Sequence, residues 1–161
     1  MRCVDYLKEH MFHTLRRLFI RSAAVVLLLT GTAKISSAFG GARILQTVDP
    51  ILGLHFSYVM IIAGALELLV AFVCVFERMR TLSLSLLAWL ATIILAYRLG
   101  LWWTGWRRPC SCLGNLTDML HIQPQIADNI MKGVLAYLFI GSYGILFYQW
   151  WTRMAEGRMK K

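Results

Sequence analysis

From Thr81 to Tyr97 the chain carries no charged side chain, and three further stretches approach the same condition: 18–38, 54–76 and 124–151. A helix needs about 20 mainly apolar residues to cross the hydrocarbon layer of a membrane. Inside that layer every backbone N–H and C=O must be paired, which leaves helices or closed barrels. The short alternating segments of a barrel strand do not occur here. The sequence therefore predicts an all-α integral membrane protein, a four-helix antiparallel transmembrane bundle with short interfacial helices. An apolar fraction of 58% agrees, being too high for an ordinary soluble domain. The length of 161 residues allows a single domain, 1–161.

The spans are placed at 18–38, 54–76, 81–103 and 124–151. Before the first, Val4, Leu7, Met11 and Leu15 recur at helical spacing, which predicts a short helix lying in the interface. Between the first two spans, Ile44, Leu45, Val48, Ile51 and Leu52 predict another, broken at Asp49-Pro50. Pro124 suits the first turn of the last span. Its residues Tyr137, Gly141, Gly144 and Tyr148 form a packing stripe of small and aromatic side chains. Cys74 reads as a core residue of the second span, and Cys3 as a free thiol near the N-terminus.

The net charge of +9 could point to nucleic acid. However, the basic residues lie mainly at the ends of the apolar runs, where topology and anionic lipid account for them, so no nucleic acid partner is expected. Arg2, Lys8, Arg16, Arg17 and Arg21 precede or open the first span. Arg78 and Arg80 lie between the second and third, and Arg153, Arg158, Lys160 and Lys161 follow the last. These all fall on one side of a four-span protein. The excess of Lys and Arg there predicts both termini in the cytoplasm, and the loop 104–123 on the outer side.

That loop carries the chemistry. Arg107-Arg108-Pro109 leads into Cys110-Ser111-Cys112. A disulfide closed across one residue makes a small strained ring, which eases reduction and suits exchange better than stapling. Arg107 and Arg108 favour the nucleophilic thiolate. The blander reading is a rigid clip or two inert thiols. A metal site from Cys110, Cys112, His121 and His55 lacks the wider spacing of a structural zinc centre, and His10 with His13 reads as a solvated interfacial pair; no metal is expected. No cofactor is required by the sequence. A quinone could stack on Trp102, Trp103 and Trp106, although an interface belt accounts for these residues more simply.

Lys34, Glu67 and Arg98 are charges inside apolar runs. At that depth a charge must be paired, hydrated or neutralised. They predict a buried polar cluster, either a proton or cofactor site beneath the loop or a structural lock between helices. Gly31, one turn before Lys34, would permit close helix contact, and Ala63, Gly64 and Ala71 place Glu67 against protein rather than lipid.

Together these residues resemble a family. Gly31-Thr32-Ala33-Lys34 resembles the G-x-x-K signature of DoxX-like membrane proteins, and Gly64-Ala65-Leu66-Glu67 their G-x-x-E motif. Tyr97-Arg98 followed by Cys110-Ser111-Cys112-Leu113-Gly114 is similar to the branch of the methylamine utilisation protein MauE. The resemblance implies a bacterial-type inner-membrane protein that supports thiol–disulfide redox. It further implies a thioredoxin-like or disulfide-rich periplasmic partner, the lipid bilayer being the other. The corresponding activity is that of a thiol–disulfide oxidoreductase acting through Cys110 and Cys112. The alternative is a non-catalytic assembly or anchoring subunit whose cysteines are structural.

Overall fold

The computed structural model describes residues 2–40, 43–76, 80–105 and 123–159. Among them are four α-helices: α1 (Arg2–Ala38), α2 (Phe56–Val75), α3 (Arg80–Trp103) and α4 (Pro124–Met159). A single 3-10 turn, Arg43–Gln46, lies between α1 and α2. Each of the four helices contains a segment long and apolar enough to cross a membrane. The first and last run well past the expected spans. The amphipathic stretch before Leu18 continues α1 without a break, so it is not a separate interfacial helix. The pattern of Val4, Leu7, Met11 and Leu15 reports helix but cannot tell a free segment from the opening of a longer one.

The connection after α1 is shorter in helix than its apolar spacing suggested. After the 3-10 turn the backbone folds into a tight reversal. Val48 pairs with His55 in an antiparallel bridge. Asp49 donates its N–H to the Leu54 carbonyl at 2.8 Å, and Phe56 donates to Thr47 at 3.0 Å. Gly53 takes φ +66°, a left-handed conformation that side chains with a Cβ rarely adopt. Pro50 excludes a helix through Asp49, and the reversal supplies the hydrogen bonds a helix would have made.

The bundle is built from two close pairs. α1 lies along α2 through its membrane half. A Cβ added at Gly64 would stand 2.9 Å from the Gly31 carbonyl oxygen and 2.8 Å from the Ile35 side chain. A Cβ at Gly31 would stand 3.0 Å from the Gly64 carbonyl oxygen and the Leu68 side chain. Pairing of 31 with 68 and of 35 with 64 makes the two helices antiparallel. Small residues allow this approach, which in lipid replaces the hydrophobic drive as the source of helix adhesion.

The core runs along the inner faces of all four helices, from Ile20, Ala23 and Leu27 through Val70, Ala71 and Cys74 to Leu84, Leu87, Leu90, Leu135 and Leu138. Cys74 is fully buried there. α4 meets α1 through aromatic side chains. Phe12 lies against Tyr148 with ring centres 4.5 Å apart. Phe19 fills the space at Gly141, where a Cβ would come within 2.1 Å of its ring. Ser22 and Tyr137 share a hydrogen bond of 2.6 Å. Gly144 departs from the expected stripe, since nothing lies within 4 Å of a Cβ placed there.

The outward faces are apolar as well. Val25, Leu29, Ile62, Leu69, Phe72, Ile140 and Phe147 are all exposed. In water such a surface would drive aggregation; against acyl chains it is the expected exterior. Trp102 and Trp103 are exposed at the end of α3, and Trp150 and Trp151 near the end of α4, as in the aromatic belts of the two interfaces.

The glycine contacts give a paired test. Gly64→Val should destabilise the protein by about 1–3 kcal/mol, as overpacking does. Gly144→Ala should leave stability unchanged or slightly raised, because alanine is the better helix former. Thermal unfolding of the two purified variants in detergent checks this; equal melting points would show that α1 and α2 do not depend on the close approach.

Candidate functional site

Charge inside the spans marks where a site is to be sought, because the membrane interior tolerates it only when it is matched. Lys34 is 5% exposed and Glu67 2%. The Lys34 ammonium donates to Glu67 Oε1. The second oxygen, Oε2, accepts the hydroxyl of Thr30 at 2.9 Å. Helix geometry explains why these groups meet. Side chains on a helix lean toward its N-terminus. Lys34 therefore leans back toward Gly31, and Glu67 toward Gly64. In an antiparallel pair touching at those glycines, the two heads converge at the level of contact. The glycines supply the room, and the charges sit one turn beyond them on each helix.

A second carboxylate is fully buried in the reversal before α2. Asp49 Oδ1 accepts the backbone N–H groups of Ile51 at 2.8 Å and Leu52 at 2.9 Å. This is the local turn that an Asp side chain makes with its own backbone. Oδ2 accepts the hydroxyl of Tyr97 from α3. The turn is thereby tied to α3, and Ile51 packs where a Cβ on Gly100 would stand 2.9 Å from it.

A third group joins α3 to α4. Arg98 pairs with Asp128 at 3.2 Å, and Lys132, one turn along α4, pairs with the same carboxylate at 2.7 Å. Arg98 and Asp128 are largely shielded, whereas Lys132 is mostly exposed.

A cavity of about 510 Å³ lies between the α1–α2 and α3–α4 pairs. Its wall is almost wholly aliphatic, with Lys34, Tyr97 and Arg98 contributing the polar atoms. All four helices and the turn at Ile51 and Leu52 line it.

A family model described as methylamine utilisation protein MauE matches residues 13–148. The chain belongs to the MauE family. The match includes all three polar groups and the loop between α3 and α4. With four helices able to span a bilayer, this MauE chain is a multi-pass membrane protein. Comparison with curated proteins and with solved structures finds no match.

The sequence-derived site residues of the MauE chain fall into two sets. Lys34 and Glu67 are brought into contact. Arg98 is given a partner that sequence reading did not single out, Asp128, and it borders the same cavity as Lys34. Cys110, Cys112, Arg107 and Arg108 lie outside the described residues, as do Trp106 and His121. Asp49, Tyr97 and Thr30 also emerge only from the structure as parts of the polar set. The Asp49-Pro50 sequence announced a break at Asp49, but nothing local connects it with Tyr97.

Replacing Glu67 should strand the Lys34 ammonium in an apolar surround. Glu67→Ala is expected to lower the yield of folded protein in membranes more than Cys110→Ala does, measured by fluorescence-detected size exclusion. Equal yields would remove the lock from the account.

Proposed function

We propose that this MauE protein supports thiol–disulfide exchange at the outer face of a bacterial-type inner membrane, in the maturation of a periplasmic protein. In this reading both termini are cytoplasmic. Cys110 and Cys112, in the loop between α3 and α4, exchange a disulfide with a thioredoxin-like or disulfide-rich partner. Arg107 and Arg108 hold the attacking sulfur as thiolate. The family's description associates it with methylamine utilisation, and a disulfide-rich protein of that system is the corresponding client.

The observation that carries the reading is the Cys-x-Cys placed on the connection between two fixed helix ends. Tyr97 and Arg98 lie in the last two turns of α3, and Asp128 and Lys132 in the first turns of α4. The Arg98–Asp128 pair ties these helices together just below the loop. The segment bearing the cysteines thus leaves and re-enters a braced pair of helices. Such bracing fixes the separation of the helix ends that the loop joins.

Alkylation of thiols in native membranes tests the proposal, with Cys3→Ser and Cys74→Ser isolating the pair. A mixture of oxidised and reduced Cys110 and Cys112 that shifts when respiration is inhibited is the expected result. A pair that stays oxidised and resists mild reductant would make the loop a structural clip and the protein an assembly subunit. A membrane-impermeant reagent that labels the pair only after the membrane is opened would reverse the assigned orientation.

A further inference from the structure

A groove of about 540 Å³ runs along the seam between α3 and α4. Leu99, Trp102 and Ile140 line it and are exposed, so in a bilayer it faces lipid. Its charged groups are gathered at one end. α3 and α4 are antiparallel, with Arg98 beside Asp128 and Thr92 beside Tyr143. Trp102, in the last turn of α3, belongs to the interface belt. Arg98 stands one turn below it, level with Asp128 and Lys132, and Leu95, Phe139 and Ile140 lie deeper. From Lys132 to Ile140 the groove follows α4 for about 12 Å at 1.5 Å per residue, against roughly 15 Å for the hydrocarbon of one leaflet. The groove therefore has the polarity of a lipid, charged near the interface and apolar beneath it.

Charge selects the head group. Asp128 is shared: Oδ1 takes Arg98 at 3.2 Å and Oδ2 takes Lys132 at 2.7 Å. Among the described lining residues two cations thus stand on one carboxylate. The Lys132 ammonium has three N–H groups. One is used on Asp128, and with 60% of the side chain exposed the others are open to the bilayer. A cation at that depth needs a further acceptor, and the acceptor that the bilayer itself offers is a phosphate oxygen. A choline or ethanolamine head brings a cation of its own, and each Asp128 oxygen already holds one. A phosphoglycerol head brings the anion alone.

We propose that this groove binds an anionic phospholipid of the phosphatidylglycerol type. Its phosphate sits on the Lys132 ammonium, and one acyl chain lies along Leu95, Leu135, Phe139 and Ile140. Arg98 adds to the positive field from behind while keeping its contact with Asp128. A lipid held there clasps α3 and α4 at the end from which the 104–123 loop departs. The site does not rest on the thiol reading, since no cysteine takes part in it.

The test is a titration of the full-length protein in dodecyl maltoside micelles with dioleoylphosphatidylglycerol or dioleoylphosphatidylcholine, the bound lipid being counted by native mass spectrometry. One phosphatidylglycerol per protein is expected, held about fivefold more tightly than phosphatidylcholine, as one cation near an anionic head provides. Lys132→Gln should abolish that preference and Lys132→Arg should keep it. Ala136→Trp places a ring in the groove from an exposed position and leaves the charges intact; it should weaken binding of both lipids about as much. Cooperative unfolding identifies the variants that fold. Arg153→Gln removes an exposed cation from the opposite end of α4 and should bind as the parent does. Glycerol 3-phosphate, the head without the chains, should not displace the lipid. Equal binding of the two lipids, or parental binding by folded Lys132→Gln or Ala136→Trp, would overturn the site. An equal loss in Arg153→Gln would reduce it to diffuse attraction, and displacement by glycerol 3-phosphate would make it a site for soluble phosphates; either result also overturns the proposal.

Discussion

A lysine and a glutamate buried in the same membrane-embedded helix pair constrain everything around them. Neither can remain charged there alone, so α1 and α2 must stay in a register that keeps them together. Gly31 and Gly64 make that register possible by letting the backbones approach, and the lean of helical side chains brings the two heads to the same level. Thr30 occupies the remaining carboxylate oxygen. Burial of an ion pair need not add stability over an apolar pair of equal volume. What it does here is penalise every alternative packing in which either partner is left alone, and so select one arrangement of the first two helices.

The other half of the bundle follows a looser rule. α3 and α4 are joined at one end by Arg98 and Asp128 and further along by Thr92 and Tyr143, whose hydroxyls are 2.9 Å apart. The turn before α2 ties across to α3 through Asp49 and Tyr97. Between these ties the two pairs of helices do not close fully, and the cavity is the result. A bundle braced at its polar points and open between them can admit an apolar molecule without loss of register.

Much of this was legible in the sequence because membranes impose a simple grammar. Long uncharged runs give helices, and isolated charges within them demand partners. Lys34 and Glu67 followed directly from that logic, with Gly31 and Gly64 one turn away as the sign of close contact. The parts that escaped are tertiary. Asp128 lies four residues before Lys132 in α4, where a local ion pair already accounts for it, so its pairing with Arg98 left no separate signal. Asp49 read as the break imposed by Pro50; its bond to Tyr97 spans 48 positions in the chain. Gly144 and Gly141 were indistinguishable in sequence, yet only Gly141 has a neighbour, Phe19, that needs its missing side chain. The full length of α1 was hidden because amphipathic spacing does not show whether a helix continues into the span that follows.

The claim that most depends on this structure is the coupling between Lys34 and Glu67. A double-mutant cycle with Lys34→Met and Glu67→Leu, followed by reversible unfolding in mixed micelles, measures it directly. Each single replacement should cost about 3–5 kcal/mol, because it leaves a buried charge unmatched. The double replacement should recover most of that loss, since two apolar side chains then meet at the glycine contact. Additive losses in the double variant would mean that the two charges act independently, and the account of how α1 and α2 are held would be wrong.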